Sequence, residues 1–166
     1  MNDQVVLDAL RPGDLGWVVQ RHGALYAQEH GFDQRFEALV ARIAADFVDR
    51  LDPQRERGWI ARRGDANLGS VFVVRADAAE FGANLAQLRL LLVEPAARGL
   101  RIGDRLVGAC EAFARERGYR GMVLWTNAQL DAARAIYRRH GWTLQRSESH
   151  RRFGRDLVGE IWSLDF

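Results

Sequence analysis

The chain has 166 residues, enough for one domain with a substantial core, and its composition (48% hydrophobic, 28% charged) excludes a disordered chain. No apolar run approaches the roughly 20 residues of a membrane-spanning helix, Met1-Asn2-Asp3-Gln4 lacks the features of a signal peptide, and a lone Cys110 excludes an intrachain disulfide or a cysteine-based zinc site, so a soluble cytoplasmic domain is expected. The net charge of +2 hides an asymmetry: 13 Arg and 5 acids between Arg98 and Arg155 give that stretch +8, while the remainder carries −6, and a basic half implies an anionic partner.

In chain order, Gln4 to Leu10 reads as a short strand ended by Arg11-Pro12-Gly13-Asp14. Two helices are predicted next, over Leu15 to Gln28 and Gln34 to Arg50. The second has Phe36, Leu39, Val40, Ile43 and Phe47 on one face, with Asp33 placed as its N-cap. Trp59 to Arg62 and Ser70 to Arg75 form a predicted hairpin about the turn Gly64-Asp65-Ala66-Asn67, and Glu80 to Asn84 reads as a loop. Leu88 to Val93 is an apolar strand interrupted only by Arg89, stopping before Pro95. A helix from Leu100 to Arg117 carries Ile102, Leu106, Cys110, Phe113 and Ala114 on one face and ends at Gly118. Met122 to Trp125 is a strand and Leu130 to His140 a helix ended by Gly141. Trp142 to Arg146 and Val158 to Leu164 are closing strands around a loop containing Phe153-Gly154. A hairpin combined with a βαβ unit predicts a mixed sheet.

The segment Leu90 to Arg105 holds the most chemistry. A buried strand meets a Pro, then a turn with Gly99 and Gly103, then a helix. A helix N-terminus offers unpaired N–H groups and a positive dipole end, and glycines let a phosphate approach the backbone. Lys is absent throughout, and the spacing matches neither a Walker A loop nor a dinucleotide fingerprint. The same residues also fit a plain strand-to-helix turn with Gly103 present for close packing. The all-Arg composition likewise has two readings, GC-rich codon usage and the fit of Arg forks to phosphate.

Taken together, Leu91-x-Val93-x-Pro95, Arg98-Gly99-x-x-Ile102-Gly103, Asn127 and Ala133-x-x-x-Tyr137-x-x-x-Gly141-Trp142 resemble the GNAT superfamily of acetyl-CoA-dependent N-acetyltransferases. The chain is also similar to the acetyltransferase portion of bacterial MarR-type regulators, although no winged helix-turn-helix precedes it here. The resemblance implies a single α/β (α+β) domain over residues 1–166. Its sheet would be mixed and mostly antiparallel, with about seven strands flanked by about four helices. It implies acetyl-CoA as cosubstrate, no metal, a primary amine of a small molecule or peptide as acceptor, direct attack in a ternary complex, and a possible homodimer.

By the same resemblance, acetyl-CoA lies where the strands Leu88 to Val93 and Met122 to Trp125 splay apart. Backbone of Leu91, Leu92 and Val93 would face pantetheine and the acetyl carbonyl, where an N–H stabilises developing negative charge. Arg98, Gly99, Leu100, Arg101, Ile102, Gly103 and Asp104 would hold the pyrophosphate, with Asn127, Ala133, Tyr137 and Arg139 completing the site. Arg138 and Arg139 are candidates for the adenosine 3′-phosphate. Arg101 stands where the family has a glycine; its N–H persists and can still cradle phosphate if the residue is ordinarily helical, while its side chain either adds a contact or crowds the site. Tyr137 is the expected general acid, protonated at neutral pH from its ordinary pKa of about 10. Glu94 is the expected base, with Glu148, His150, His22 and Glu29 as rivals. Trp17, Tyr26 and Phe32 are candidate acceptor-pocket residues, the acidic remainder favours a cationic amine, and Cys110 belongs to the core. A non-catalytic acyl-CoA sensor is the alternative. DNA binding is not favoured, because the aromatics do not interleave with Arg on one surface.

Overall fold

The structure, a computed structural model, describes residues 3–166; Met1 and Asn2, part of the N-terminal stretch considered for targeting, lie outside the described residues. Its elements are β1 (Val6–Asp8), α1 (Asp14–His30), α2 (Gln34–Asp49), β2 (Arg57–Arg63), β3 (Ala66–Arg75), α3 (Ala78–Phe81), β4 (Leu85–Val93), a 3-10 turn (Pro95–Ala97), α4 (Ile102–Glu116), β5 (Gly121–Asn127), α5 (Asp131–Arg139), β6 (Thr143–Arg152) and β7 (Arg155–Asp165). The seven strands form one sheet in the order β1-β2-β3-β4-β5-β7-β6. All neighbours pair antiparallel except β4 and β5. The expected mixed, mostly antiparallel sheet is therefore present. No helix among the described residues is long and apolar enough to cross a membrane.

Strand alternation builds two cores, one on each face of the sheet. Val71 and Val73 of β3 join Leu88, Met122 and Leu124 beneath Ile102, Leu106, Cys110 and Phe113 of α4. Between them, Phe72 points the other way and packs with Ile60, Val18 of α1 and Val40 and Phe47 of α2. Each fully buried side chain of this size contributes about 1.5–3 kcal/mol. A smaller cluster of Phe32, Phe153 and Leu157 ties the junction of α1 and α2 to the end of the β6–β7 hairpin. Asp33 caps α2 as expected, accepting from Arg35 N at 3.0 Å. At the start of α1, Asp14 accepts from Arg62 at 2.5 and 3.0 Å, a buried pair fixing that helix to β2.

Two features open the sheet at its centre. β4 pairs with β5 only from Leu85↔Gly121 to Gln87↔Val123, and the strands diverge beyond. β4 also bulges against β3: Ser70 opposes Leu92 while Phe72 opposes Arg89, leaving two residues across from Val71. Leu90 takes a positive φ of 54° there, and Ser70 Oγ donates to its carbonyl at 2.8 Å. Such a bulge bends its strand and re-aims its side chains.

Several strand and helix ends move by one to four residues, Ala66 and Asn67 of the predicted turn joining β3, and two predicted loops change character. The loop expected over Glu80 to Asn84 begins as a helical turn, Ala78–Phe81, because Asp77 caps it by accepting from Ala79 N at 2.9 Å. The closing loop is a two-residue turn, Phe153-Gly154, with φ of 56° and 78°, between two long strands. Glu148 and His150 therefore sit in strand β6, not in a loop. The polar sequence of β6 conceals it, since this edge strand is exposed along nearly its whole length and lacks apolar alternation.

Candidate active site

The gap between β4 and β5 opens into a cleft of about 660 Å³, lined on one wall by Leu91, Leu92 and Val93, at its mouth by Ala97, Arg98, Gly99 and Arg101 to Asp104, and opposite by α5 residues including Ala133, Ile136 and Arg139; the Leu100 side chain turns out to solvent instead. Beyond Gln87 the β5-facing edge of β4 has no strand partner. The turn from β4 into α4 places Gly99 at φ 88° and Arg101 at φ 58°, with the intervening Leu100 not in the left-handed region. Such alternation points successive N–H groups into one concavity, an anion nest. No side chain caps α4, so its first-turn donors are left for a ligand. Gly103 also has the packing role: a Cβ there would lie 2.5 Å from Ile136 Cδ1 of α5.

The ordinary helical conformation expected for Arg101 is overturned. It is the N-cap residue and left-handed, the conformation a glycine adopts freely and an L-residue adopts at a cost of about 1–2 kcal/mol. The neighbouring cations are already engaged. Arg98 donates to Glu29 at 2.6 Å, and Arg139 pairs with Asp104 at 2.9 Å, which with His140 holds the Asp104 carboxyl below its usual range. Arg138 lies over the Trp162 ring at 5.5 Å and does not line the cleft.

A second cavity of about 420 Å³ lies between β4, the end of β5, and helices α1 and α2. It shares Tyr26, Leu91, Leu130 and Ala133 with the cleft, so the two meet there. Tyr137 of α5 lines it, packed between Trp142 at 5.8 Å and Trp162 at 6.2 Å. Its hydroxyl makes no hydrogen bond to the described residues, and burial pushes its pKa well above the ordinary value. Asn127 ends β5 with its side chain buried and Oδ1 unpartnered, while its backbone carbonyl receives Leu130 N at 3.0 Å. It thus both shapes the entry to α5 and leaves an acceptor for a ligand. Tyr26 stacks on Phe36 at 4.5 Å and on His22 at 5.7 Å; burial pushes its pKa up to about 12.

The structure does not bring Glu94 to this point. Arg21 donates to both of its carboxylate oxygens, at 2.5 and 2.9 Å, and Glu94 lines neither cavity. Of its rivals, Glu148 and His150 lie on β6 and line neither cavity, His150 packing beside Trp125 at 5.7 Å; Glu29 holds Arg98, and only His22 lines the inner cavity. His22 Nδ1 lies 2.7 Å from Val18 O, its Nε2 has no partner, and burial lowers its pKa to about 4. Of the candidate pocket aromatics, Tyr26 lines both cavities, while Phe32 packs with Phe153 and Trp17 joins the core beneath α1. Cys110 is buried, and burial raises its thiol pKa, as a core residue requires. Sequence reasoning passes over Gln87 and Arg89, which line the inner cavity; a lone charge in an otherwise apolar strand was the available signal.

A model of the acetyltransferase (GNAT) family matches residues 21–142. No curated protein matches the chain significantly. Among solved structures, it is similar to yncA from Salmonella typhimurium, solved with its cofactor acetyl-CoA (15% identity, TM-score 0.76, covering 97% of this chain and 93% of that one). It is similar also to the ribosomal-protein-alanine N-acetyltransferase of Brucella melitensis (17%, 0.76, 97% and 99%) and to an N-acetyltransferase of Staphylococcus aureus Mu50 (14%, 0.77, 98% and 98%). At these identities the likeness concerns the fold.

Proposed function

The chain belongs to the GNAT acetyltransferase family, and from that premise we propose that it is a cytoplasmic N-acetyltransferase, moving the acetyl group of acetyl-CoA to a primary amine in a ternary complex. The observation that carries the reading is the uncapped N-terminus of α4, preceded by a turn at alternating φ, at the mouth of a cleft whose inner end meets a second cavity beside Tyr137.

The residues present fit acetyl-CoA. The concavity of Arg98 to Asp104 suits a pyrophosphate, Arg139 a further phosphate, and the unpartnered Oδ1 of Asn127 an amide N–H of the pantetheine arm. When bound, acetyl-CoA supplies a thioester carbonyl. Backbone N–H groups on the unpaired edge at Leu91 and Val93 would polarise that carbonyl. The amine nitrogen forms the new C–N bond as the C–S bond breaks; the Tyr137 hydroxyl, without another partner among the described residues, gives its proton to the departing sulfur and regains one as the new amide nitrogen sheds its extra proton.

The ammonium must first lose a proton. The acids lining the inner cavity, Asp77 and Glu80, are exposed at its rim. We assign this proton to solvent, Glu94 serving as the anchor of α1 through Arg21. The one unpaired candidate base lining the inner cavity among the described residues, His22, is made a weak base by burial, its pKa lowered to about 4, and that is the one observation favouring the alternative, an acyl-CoA sensor. The closer similarity to regulator-linked acetyltransferases rests on the sequence motifs alone.

Thioester consumption across panels of amino acids, polyamines, aminoglycosides and peptides tests the proposal. Turnover with one class supports it. Tight acetyl-CoA binding by calorimetry with no turnover of any amine would move the assignment to the sensor.

A further inference from the structure

We propose that the acceptor is a small amine bearing a carboxylate, an amino acid or a close analogue, and that Arg89 is the residue that binds that carboxylate. The inference rests on reading the inner cavity as the acceptor site.

Arg89 stands on β4 at the bulge, two residues from Gln87 and so on the same face. Both line the 420 Å³ cavity that also holds Tyr137. Its guanidinium has no hydrogen bond or ion pair among the described residues. Asp46 of α2 and Glu80 of α3 are the acids that act on it. Both are exposed, and neither is within ion-pair distance. Other cations in this chain are treated differently: Arg62, Arg21, Arg134 and Arg139 all hold carboxylates. Arg89 is half-buried, and a cation partly withdrawn from water without a partner is less favourable until a ligand supplies the counter-charge. Burial already acts to lower its pKa, the direction a bound anion would reverse.

The planar fork of Arg matches a carboxylate with two parallel N–H···O bonds. A cavity of this volume takes a small molecule, which puts the amine and its acidic group a few bonds apart. The Gln87 amide, without a partner among the described residues, stands beside the same spot as a second donor. The acidic balance of the N-terminal half points instead to a purely cationic amine, but the only acids of that half lining the cavity, Asp77 and Glu80, are exposed at its rim, whereas Arg89 stands inside it.

The test compares matched acceptors with acetyl-CoA: leucine against isoamylamine, phenylalanine against phenethylamine, and ornithine against putrescine. In the unaltered protein the carboxylated member of at least one pair is expected to have the higher kcat/KM. Arg89→Gln should raise KM for that substrate about 10- to 100-fold and leave the decarboxylated amine unchanged, with Arg89→Lys recovering part of the loss. A preference of the unaltered protein for the decarboxylated amines overturns the proposal, as does an equal loss for both members in Arg89→Gln. Thermal protection by each acceptor in the presence of CoA is read in parallel. Carboxylate-dependent protection without turnover upholds Arg89 binding and sinks the transferase reading. Acetyl-CoA binding with neither protection nor turnover by any acceptor sinks the Arg89 proposal and leaves the donor site standing.

Discussion

Tyr137 shows how one residue serves packing and chemistry at once. Its ring fills space between Trp142 and Trp162, while its hydroxyl is left without a protein partner in the cavity where the amine is proposed to react. Tyr137→Phe keeps the ring and removes the proton. It should lower kcat by about 10²- to 10⁴-fold with acetyl-CoA affinity unchanged, as seen by single-turnover kinetics beside calorimetry. An unchanged kcat would leave the residue purely structural. His22 permits a prediction about stability. Its folded pKa of about 4 lies below the ordinary 6.5 because burial disfavours the charged ring. Below pH 6.5 the unfolded chain takes up a proton that the folded chain refuses, so stability falls from pH 6.5 downward and levels off below about pH 4. Between pH 7.5 and pH 5 the loss from this group is about 2 kcal/mol. Urea denaturation at the two pH values should show it, and His22→Gln should flatten the difference. Tyr137 was legible from its place in the Ala133–Tyr137–Gly141–Trp142 pattern. The role of Arg89 was not, because sequence alone shows a charge in a strand but not whether a carboxylate waits for it.

The turn between β4 and α4 is where an element's shape overrides the preference of its residue. Gly99 sits at φ 88° as a glycine can, but the residue two positions on is an Arg forced to φ 58°. At an ordinary helical position Ala is more stable than Gly by about 0.5–1 kcal/mol. At position 101 the order should invert: Arg101→Gly relieves the left-handed strain, while Arg101→Ala keeps it. Denaturation midpoints of the two variants decide this, and Ala the more stable would show that the turn relaxes. Both variants should weaken acetyl-CoA binding alike if the Arg101 side chain contacts a phosphate. The helices and central strands were readable because their apolar periodicities repeat over several turns or pleats. The bulge at Leu90, the one-turn helix at Ala78–Phe81 and the length of β6 were not. The first is set by the fit of β4 to β3, where Leu90 and Leu91 face the single residue Val71, the second by a single capping contact, and the third by pairing with β7 rather than by any pattern of its own.

Across the whole molecule the division into a basic and an acidic half becomes a set of specific contacts. The positive stretch from Arg98 onward contains the turn and the cleft-lining face of α5, and the acidic half reaches over to it through α1. Glu29 takes Arg98 and, at the adjoining strand end, Arg21 takes Glu94, so the same helix pins both sides of the turn. The two pairs differ in consequence. Arg21 and Glu94 are both largely covered and lie outside the cleft, so breaking them with Glu94→Gln costs on the order of 1 kcal/mol of stability. Arg98 and Glu29 line the cleft, Arg98 about half exposed, and a pyrophosphate seated as proposed would compete with Glu29 for the guanidinium. On that reading Glu29 is a carboxylate that the bound ligand would have to displace or repel. Glu29→Gln removes this competitor while leaving a neutral side chain of the same size. It should tighten acetyl-CoA binding about 3- to 10-fold at low ionic strength, with the gain shrinking as salt screens the charges. Calorimetric titration of both proteins at about 20 mM and about 300 mM salt separates the possibilities. Weaker binding in Glu29→Gln at both concentrations would mean instead that the pair is needed to hold Arg98 in place, and that α1 organises the phosphate site rather than guarding it.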